Sequence, residues 1–101
     1  MLKHINSVEE FDNEVKEGLV LVDFFATWCG PCRMLSPVLE EVSEENQDLK
    51  VLKIDVDEVS ALAARYGIQS IPTLMLFKNG QRVETRTGYQ NKNQLLAFIN
   101  Q

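Results

Sequence analysis

The stretch Leu19-Val20-Leu21-Val22-Asp23-Phe24-Phe25-Ala26 restricts the fold more than any other part of the chain, because every member except Asp23 is apolar. A strand that is apolar on both alternating faces needs cover on each side, which marks a central strand sandwiched between helices. The run leads, two residues on, into Trp28-Cys29-Gly30-Pro31-Cys32. From Pro31 onward Met34, Leu35, Val38, Leu39 and Val42 recur at helical spacing, with Glu40, Glu41, Glu44 and Glu45 mostly opposite, so a helix is predicted to about Asn46. Met34, and Met75 further on, read as packing residues. Pro37 lies inside the helix, where it lacks the N–H for the Arg33 carbonyl; a bend rather than an end is expected.

The remaining segments supply the partners such a strand requires. Leu2 to Ile5 suits a short strand, and Ser7-x-x-Glu10 forms a capping box for a helix carrying Val8, Phe11 and Val15, ended by Gly18. Lys50 to Val56 reads as a strand parallel to the central one through a right-handed crossover. Asp57 is placed to cap a short helix through Leu62, Ala63 and Tyr66, stopped by Gly67. Thr73 to Phe77 follows Ile71-Pro72, and Asn79-Gly80 is a two-residue hairpin turn into Arg82 to Thr87. Asn91-x-x-Gln94 opens a last helix with Leu95, Phe98 and Ile99 inward. The order β-α-β-α-β-α-β-β-α indicates an α/β fold, a mixed sheet with helices on both faces.

At 101 residues the chain, 1–101, fits one domain with a single core. Its net charge of −5 disfavours nucleic acid and anionic membrane as partners. Acidic residues arrive by Glu9 with no apolar leader-like stretch before them, and no run approaches membrane-spanning length. A cytoplasmic protein is expected, where a close cysteine pair is transient and catalytic or metal-binding rather than structural.

With Pro31 at the first helical position, Cys29 sits at the positive helix end beside unpaired backbone N–H groups. A thiolate is stabilised there, which makes Cys29 the attacking sulfur. Cys32, three positions on, shares the helix face and lies within disulfide reach. Gly30 keeps the approach open, and Pro31 stiffens the link. Two other readings compete. A zinc site wants about four ligands, against two cysteines and the single His4 here. A structural disulfide closing so small a loop stabilises little.

Several separated motifs, in order, resemble the thioredoxin family. They are Val22-Asp23-Phe24, Ala26-Thr27-Trp28-Cys29-Gly30-Pro31-Cys32, Pro37, Lys53-Ile54-Asp55-Val56-Asp57, Tyr66-Gly67-Ile68, Ile71-Pro72-Thr73 and Phe77-Lys78-Asn79-Gly80. The resemblance implies a thioredoxin fold with about five strands and four helices, and reduction of protein disulfides by exchange. Cys29, exposed, forms the mixed disulfide and Cys32, shielded, resolves it. It also implies that a separate flavin enzyme, thioredoxin reductase, restores the dithiol using NADPH; the chain itself has no Gly-x-Gly-x-x-Gly for a nucleotide or flavin, and a monomer with no bound cofactor or metal is expected. The alternatives are an oxidase or isomerase of the same fold, or a binding subunit that uses the same surface without redox chemistry.

Further roles follow from the same resemblance. Asp23, a carboxylate in an apolar strand, has its pKa raised by desolvation; the resemblance places it beneath the cysteines as proton acceptor for Cys32. Lys53 becomes its charge partner, although a solvated strand-edge lysine is an equal reading. An Ile-Pro bond is ordinarily trans, but the resemblance implies a cis Pro72 facing the sulfurs, with the Ile71 backbone free to pair with an extended substrate. Trp28, Gly30, Pro31, Ile71, Pro72 and Gly88 form the implied docking surface, with Val56 at its margin. Phe25, Arg33 and Tyr89 depart from the residues usual in the family.

Overall fold

The chain runs β1 (Leu2–His4), α1 (Val8–Glu14), β2 (Leu19–Phe25), α2 (Gly30–Glu45), β3 (Leu49–Asp55), α3 (Ser60–Arg65), β4 (Thr73–Lys78), β5 (Gln81–Thr87) and α4 (Lys92–Ile99) in a computed structural model that describes residues 1–101. This is the order expected from the sequence. The doubly apolar β2 lies in the middle of one five-stranded sheet of order β1-β3-β2-β4-β5. It pairs parallel with β3 and antiparallel with β4. Outside these, β1 runs parallel to β3 and β5 antiparallel to β4.

Two cores form, one on each face of the sheet. Val20, Val22 and Phe24 pack with Phe11 and Val15 from the α1 side and Leu62 of α3. Leu21 packs with Leu35, Leu39 and Val42 of α2 and Leu95, Phe98 and Ile99 of α4. Alternation therefore directs Asp23 to the face covered by α2 and α4. The β2–β3 register sets Asp23 directly beside Lys53 on that face.

α2 continues through Pro37. The proline forfeits about 3 kcal/mol of helix stability, whereas fully burying Leu35, Leu39 and Val42 returns roughly 1.5–3 kcal/mol for each side chain. Packing decides the outcome. Met34, in contrast, is 61% exposed, which overturns its reading as a core residue. At about 100° per residue it lies just past half-buried Val38, beyond the edge of the stripe through Leu35, Leu39 and Val42. Met75 is buried as expected.

Helix ends differ from expectation in three places. α1 stops at Glu14 rather than running to Gly18, because Lys50 Nζ reaches across from β3 and donates to the Glu14 carbonyl at 2.9 Å. A cation on a terminal carbonyl satisfies one of the groups that a helix end leaves open. Gly18, at φ +81°, belongs instead to the turn entering β2, where its N–H donates to Asn79 Oδ1. Asp57 does not cap α3, whose N-cap is Val59 without a side-chain hydrogen bond. Of the two expected capping boxes, that of α4 is complete, Asn91 and Gln94 bonding reciprocally, whereas in α1 Ser7 Oγ accepts from Glu10 N but the Glu10 carboxylate accepts from the Asn6 N–H instead of from that of Ser7.

The hairpin between β4 and β5 has positive φ at both Asn79 (50°) and Gly80 (85°), the conformation that a two-residue primed turn requires. Val83 is passed over in the register of β5, a bulge in an edge strand. No helix is long and apolar enough to cross a membrane.

Candidate functional site

Cys29 and Cys32 are joined by a disulfide with Cα atoms 5.3 Å apart. Cys29 is the N-cap of α2, in extended backbone, and its sulfur accepts the Cys32 N–H at 3.2 Å. Pro31 falls in the first helical positions, where its missing N–H costs nothing. The sequence reading had Cys29 exposed and Cys32 shielded. Both are in fact buried, at 5% and 4% exposure, so that contrast is corrected. Ala26, Phe25, Val56 and Ile71 pack around the pair and cover both sulfurs alike in the oxidised form.

The sulfurs differ instead in their neighbours. Cys29 Sγ lies 3.8 Å from the Ile71 carbonyl oxygen. The Ile71–Pro72 peptide is cis. Ile71 precedes β4, and neither its N–H nor its C=O enters a backbone hydrogen bond. Pro72 is buried, and its carbonyl accepts the Gly88 N–H at 2.8 Å, which ties the start of β4 to the end of β5. Pro31 is exposed, while Gly30, Ile71 and Gly88 are half-buried. Trp28 stands 68% exposed beside them. Its Nε1 donates to Asp57 Oδ2 at 2.9 Å, which explains why that carboxylate is not capping α3. Tyr89 is also exposed.

On its other side Cys32 lines a cleft of about 260 Å³ with Phe25, Ala26, Thr27, Arg33, Ser36 and Lys53. Arg33 Nη1 donates to the Thr27 carbonyl at the rim. Lys53, far from solvated, is buried. Its Nζ donates to Ser36 Oγ at 2.8 Å, lies 4.8 Å from the centre of the Phe25 ring, and approaches Asp23 Oδ2 only to 4.0 Å. The last distance is an ion pair without a hydrogen bond.

Asp23 has no exposed surface, and neither carboxylate oxygen has a hydrogen-bond partner. Burial pushes its carboxyl up to about 7, and Lys53 pulls it only partly back. The site thus holds a group that exchanges a proton near neutral pH at the sheet position adjoining the cysteine cleft. Sequence reasoning missed two participants. Ser36 lies four residues after Cys32, a spacing that places both on one side of α2 and could have revealed it. Asp57 carried a local capping signal that hid its bond to Trp28 across 29 positions. No group of three or more His, Cys, Asp or Glu side chains is placed to hold a metal ion.

Comparison with known proteins bears on this geometry. Residues 3–101 match the family model described as Thioredoxin. The thioredoxin of Rickettsia prowazekii is 52% identical over 95% of this chain and 96% of its own. That of Listeria monocytogenes is 52% identical over 99% and 97%. Among solved structures, thioredoxin from Plasmodium falciparum superposes with a TM-score of 0.90 at 41% identity, covering 97% of this chain and 96% of that one.

Proposed function

The chain belongs to the thioredoxin family and is a protein-disulfide reductase acting through its Cys29–Cys32 pair, and from that premise we propose individual roles for the residues around the pair. Cys29 attacks. Its thiolate breaks the substrate S–S bond, one substrate sulfur leaves as a thiolate that takes a proton from solvent, and the other stays bonded to Cys29. Cys32 then passes its proton to the Asp23 carboxylate and attacks the Cys29 sulfur. The bond from Cys29 to the substrate breaks, the second substrate thiolate leaves and is protonated, and two electrons have moved from the dithiol to the substrate.

The observation that carries this assignment is the N-cap position of Cys29. Its sulfur already receives a backbone N–H, at the helix end that favours negative charge. Cys32 has no such cap and faces the cleft shared with Lys53. The unengaged Ile71 backbone beside Cys29 supports strand-like docking of an extended substrate segment. Trp28, Gly30, Pro31, Pro72 and Gly88 border it. Lys53 is the charge partner of Asp23. We further take residues 1–101 as a single thioredoxin domain, monomeric and cytoplasmic, with no bound cofactor, re-reduced by thioredoxin reductase with electrons from NADPH.

Insulin reduction driven by NADPH and thioredoxin reductase, or by dithiothreitol, tests the roles together. Wild type accelerates it and each single cysteine variant does not. Cys32→Ser accumulates a mixed disulfide through Cys29, and Cys29→Ser accumulates none. Trapping by Cys29→Ser instead would reverse the two assignments.

A further inference from the structure

Lys53 has three ammonium protons and, in this structure, one hydrogen-bond acceptor, the hydroxyl of Ser36 at 2.8 Å. The unpartnered oxygens of Asp23 begin 4.0 Å away. A charge-assisted lysine–carboxylate bond closes to about 2.7–2.9 Å, so the cation is held more than an ångström short of the anion beside it. No other side chain relieves Asp23. The other titratable groups on this side of the sheet are Cys32 and Arg33 of α2, which line the cleft with Lys53, Asp55 two residues after Lys53 on β3, His4 of β1 in register with Lys53, and Arg86 of β5 opposite Leu74. None of these forms an ion pair or a hydrogen bond with Asp23. α4 turns the apolar Leu95, Phe98 and Ile99 to this core, while its Lys92 is engaged by Glu41 and Glu45 at the surface.

We propose that Ser36 is a positioning residue that acts on Asp23 through Lys53: its hydroxyl retains the ammonium and keeps it from closing on the carboxylate. The consequence is a carboxyl that keeps its affinity for a proton. The functional significance rests on the role of Asp23 as proton acceptor; the coupling among the three side chains does not. An ammonium in direct contact would make Asp23 a weaker base, and a weaker base takes the Cys32 proton less readily.

Ser36 is only half-buried and lies at the edge of the apolar stripe of α2, so its substitution leaves the core intact. The test is the ¹³C-detected titration of the Asp23 carboxyl in the oxidised protein, where neither cysteine titrates. In Ser36→Ala the midpoint is expected to fall by about one pH unit, a tenfold loss of proton affinity, since an opposite charge moving into contact shifts a carboxyl by roughly 1–3 units. Ser36→Thr retains the hydroxyl and restores the midpoint. Adding Ser36→Ala to Lys53→Met leaves the midpoint of Lys53→Met unchanged, because the coupling runs through the ammonium. A midpoint that stays or rises in Ser36→Ala, or a fall that persists without Lys53, overturns the proposal.

The same variants distinguish it from the reading on which its significance rests. The pH profile for resolution of a preformed mixed disulfide moves to acid together with the titration midpoint when Asp23 is the acceptor. A titration that shifts while the resolution profile stays fixed supports the Ser36–Lys53 coupling and removes Asp23 from the proton path.

Discussion

Replacing Asp23 with alanine tests the electrostatics of the site through stability alone. The carboxyl is fully buried, without a hydrogen bond, and titrates at about 7 instead of 3.8. Below pH 3.8 it is protonated in the folded and the unfolded chain and contributes no pH dependence. Between 3.8 and about 7 the unfolded chain releases a proton that the folded one retains, so stability falls as pH rises. Above 7 the loss is complete. A rise of roughly three units, at about 1.4 kcal/mol each, amounts to about 4 kcal/mol. Truncation to alanine removes this penalty and opens a small cavity, which costs on the order of 1–2 kcal/mol at every pH. Asp23→Ala is therefore expected to be slightly less stable than wild type near pH 4, equal to it near pH 5, and more stable by about 2–3 kcal/mol at pH 8.5. Guanidinium unfolding of the oxidised protein, followed by the fluorescence of its only tryptophan, Trp28, measures the difference at each pH. The disulfide keeps both cysteines from titrating. A stability difference that is flat across pH 4–8.5 would refute the assignment of a neutral-range carboxyl to Asp23.

Trp28→Phe removes the Nε1 donor to Asp57; since the bond is exposed, unfolding is expected to shift by no more than about 1 kcal/mol, while kcat/KM for insulin reduction drops severalfold because the ring borders the cysteines. Gly80→Ala places a Cβ at φ +85° and 3.3 Å from the Lys16 carbonyl oxygen, for an expected loss of about 1–2 kcal/mol in thermal or chemical unfolding. Asn91→Ala breaks the reciprocal cap of α4 and costs about 1 kcal/mol by the same measurement, with insulin reduction unchanged.

The parts of the fold that were legible in the sequence are those decided locally. The two apolar faces of β2 required a central position; Asn79-Gly80 and Asn91-x-x-Gln94 specify their turn and cap from their own side chains. Expectations failed where a distant group competes for a local one. α1 ends early because Lys50 arrives from β3, and Asp57 leaves its capping position because the Trp28 indole is within reach. Met34 recurs at near-helical spacing with the apolar residues of α2, but its angle carries it past half-buried Val38 and outside the stripe that packs on the sheet. The cis peptide at Pro72 was accessible only through resemblance to a family, since an Ile-Pro pair by itself favours trans. The triad Asp23, Lys53 and Ser36 spans two strands and a helix, and only the β2–β3 register and the pitch of α2 bring it together.

That triad bears on how two sulfurs separated by two residues come to act differently. Accessibility does not separate them, since both are covered to nearly the same degree in the disulfide. Their surroundings do. Cys29 caps the helix, receives an N–H and adjoins the free Ile71 carbonyl, so negative charge is favoured on it and an incoming chain can align beside it. Cys32 faces the opposite way, into the cleft walled by Ser36 and Lys53, with the unpartnered carboxyl of Asp23 directly beyond the ammonium. The proposed proton path and the proposed substrate path thus leave the disulfide on different sides. A substitution in the cleft is accordingly expected to change the pH dependence of resolution without changing which disulfides are attacked, and one at Trp28 or Ile71 to do the reverse.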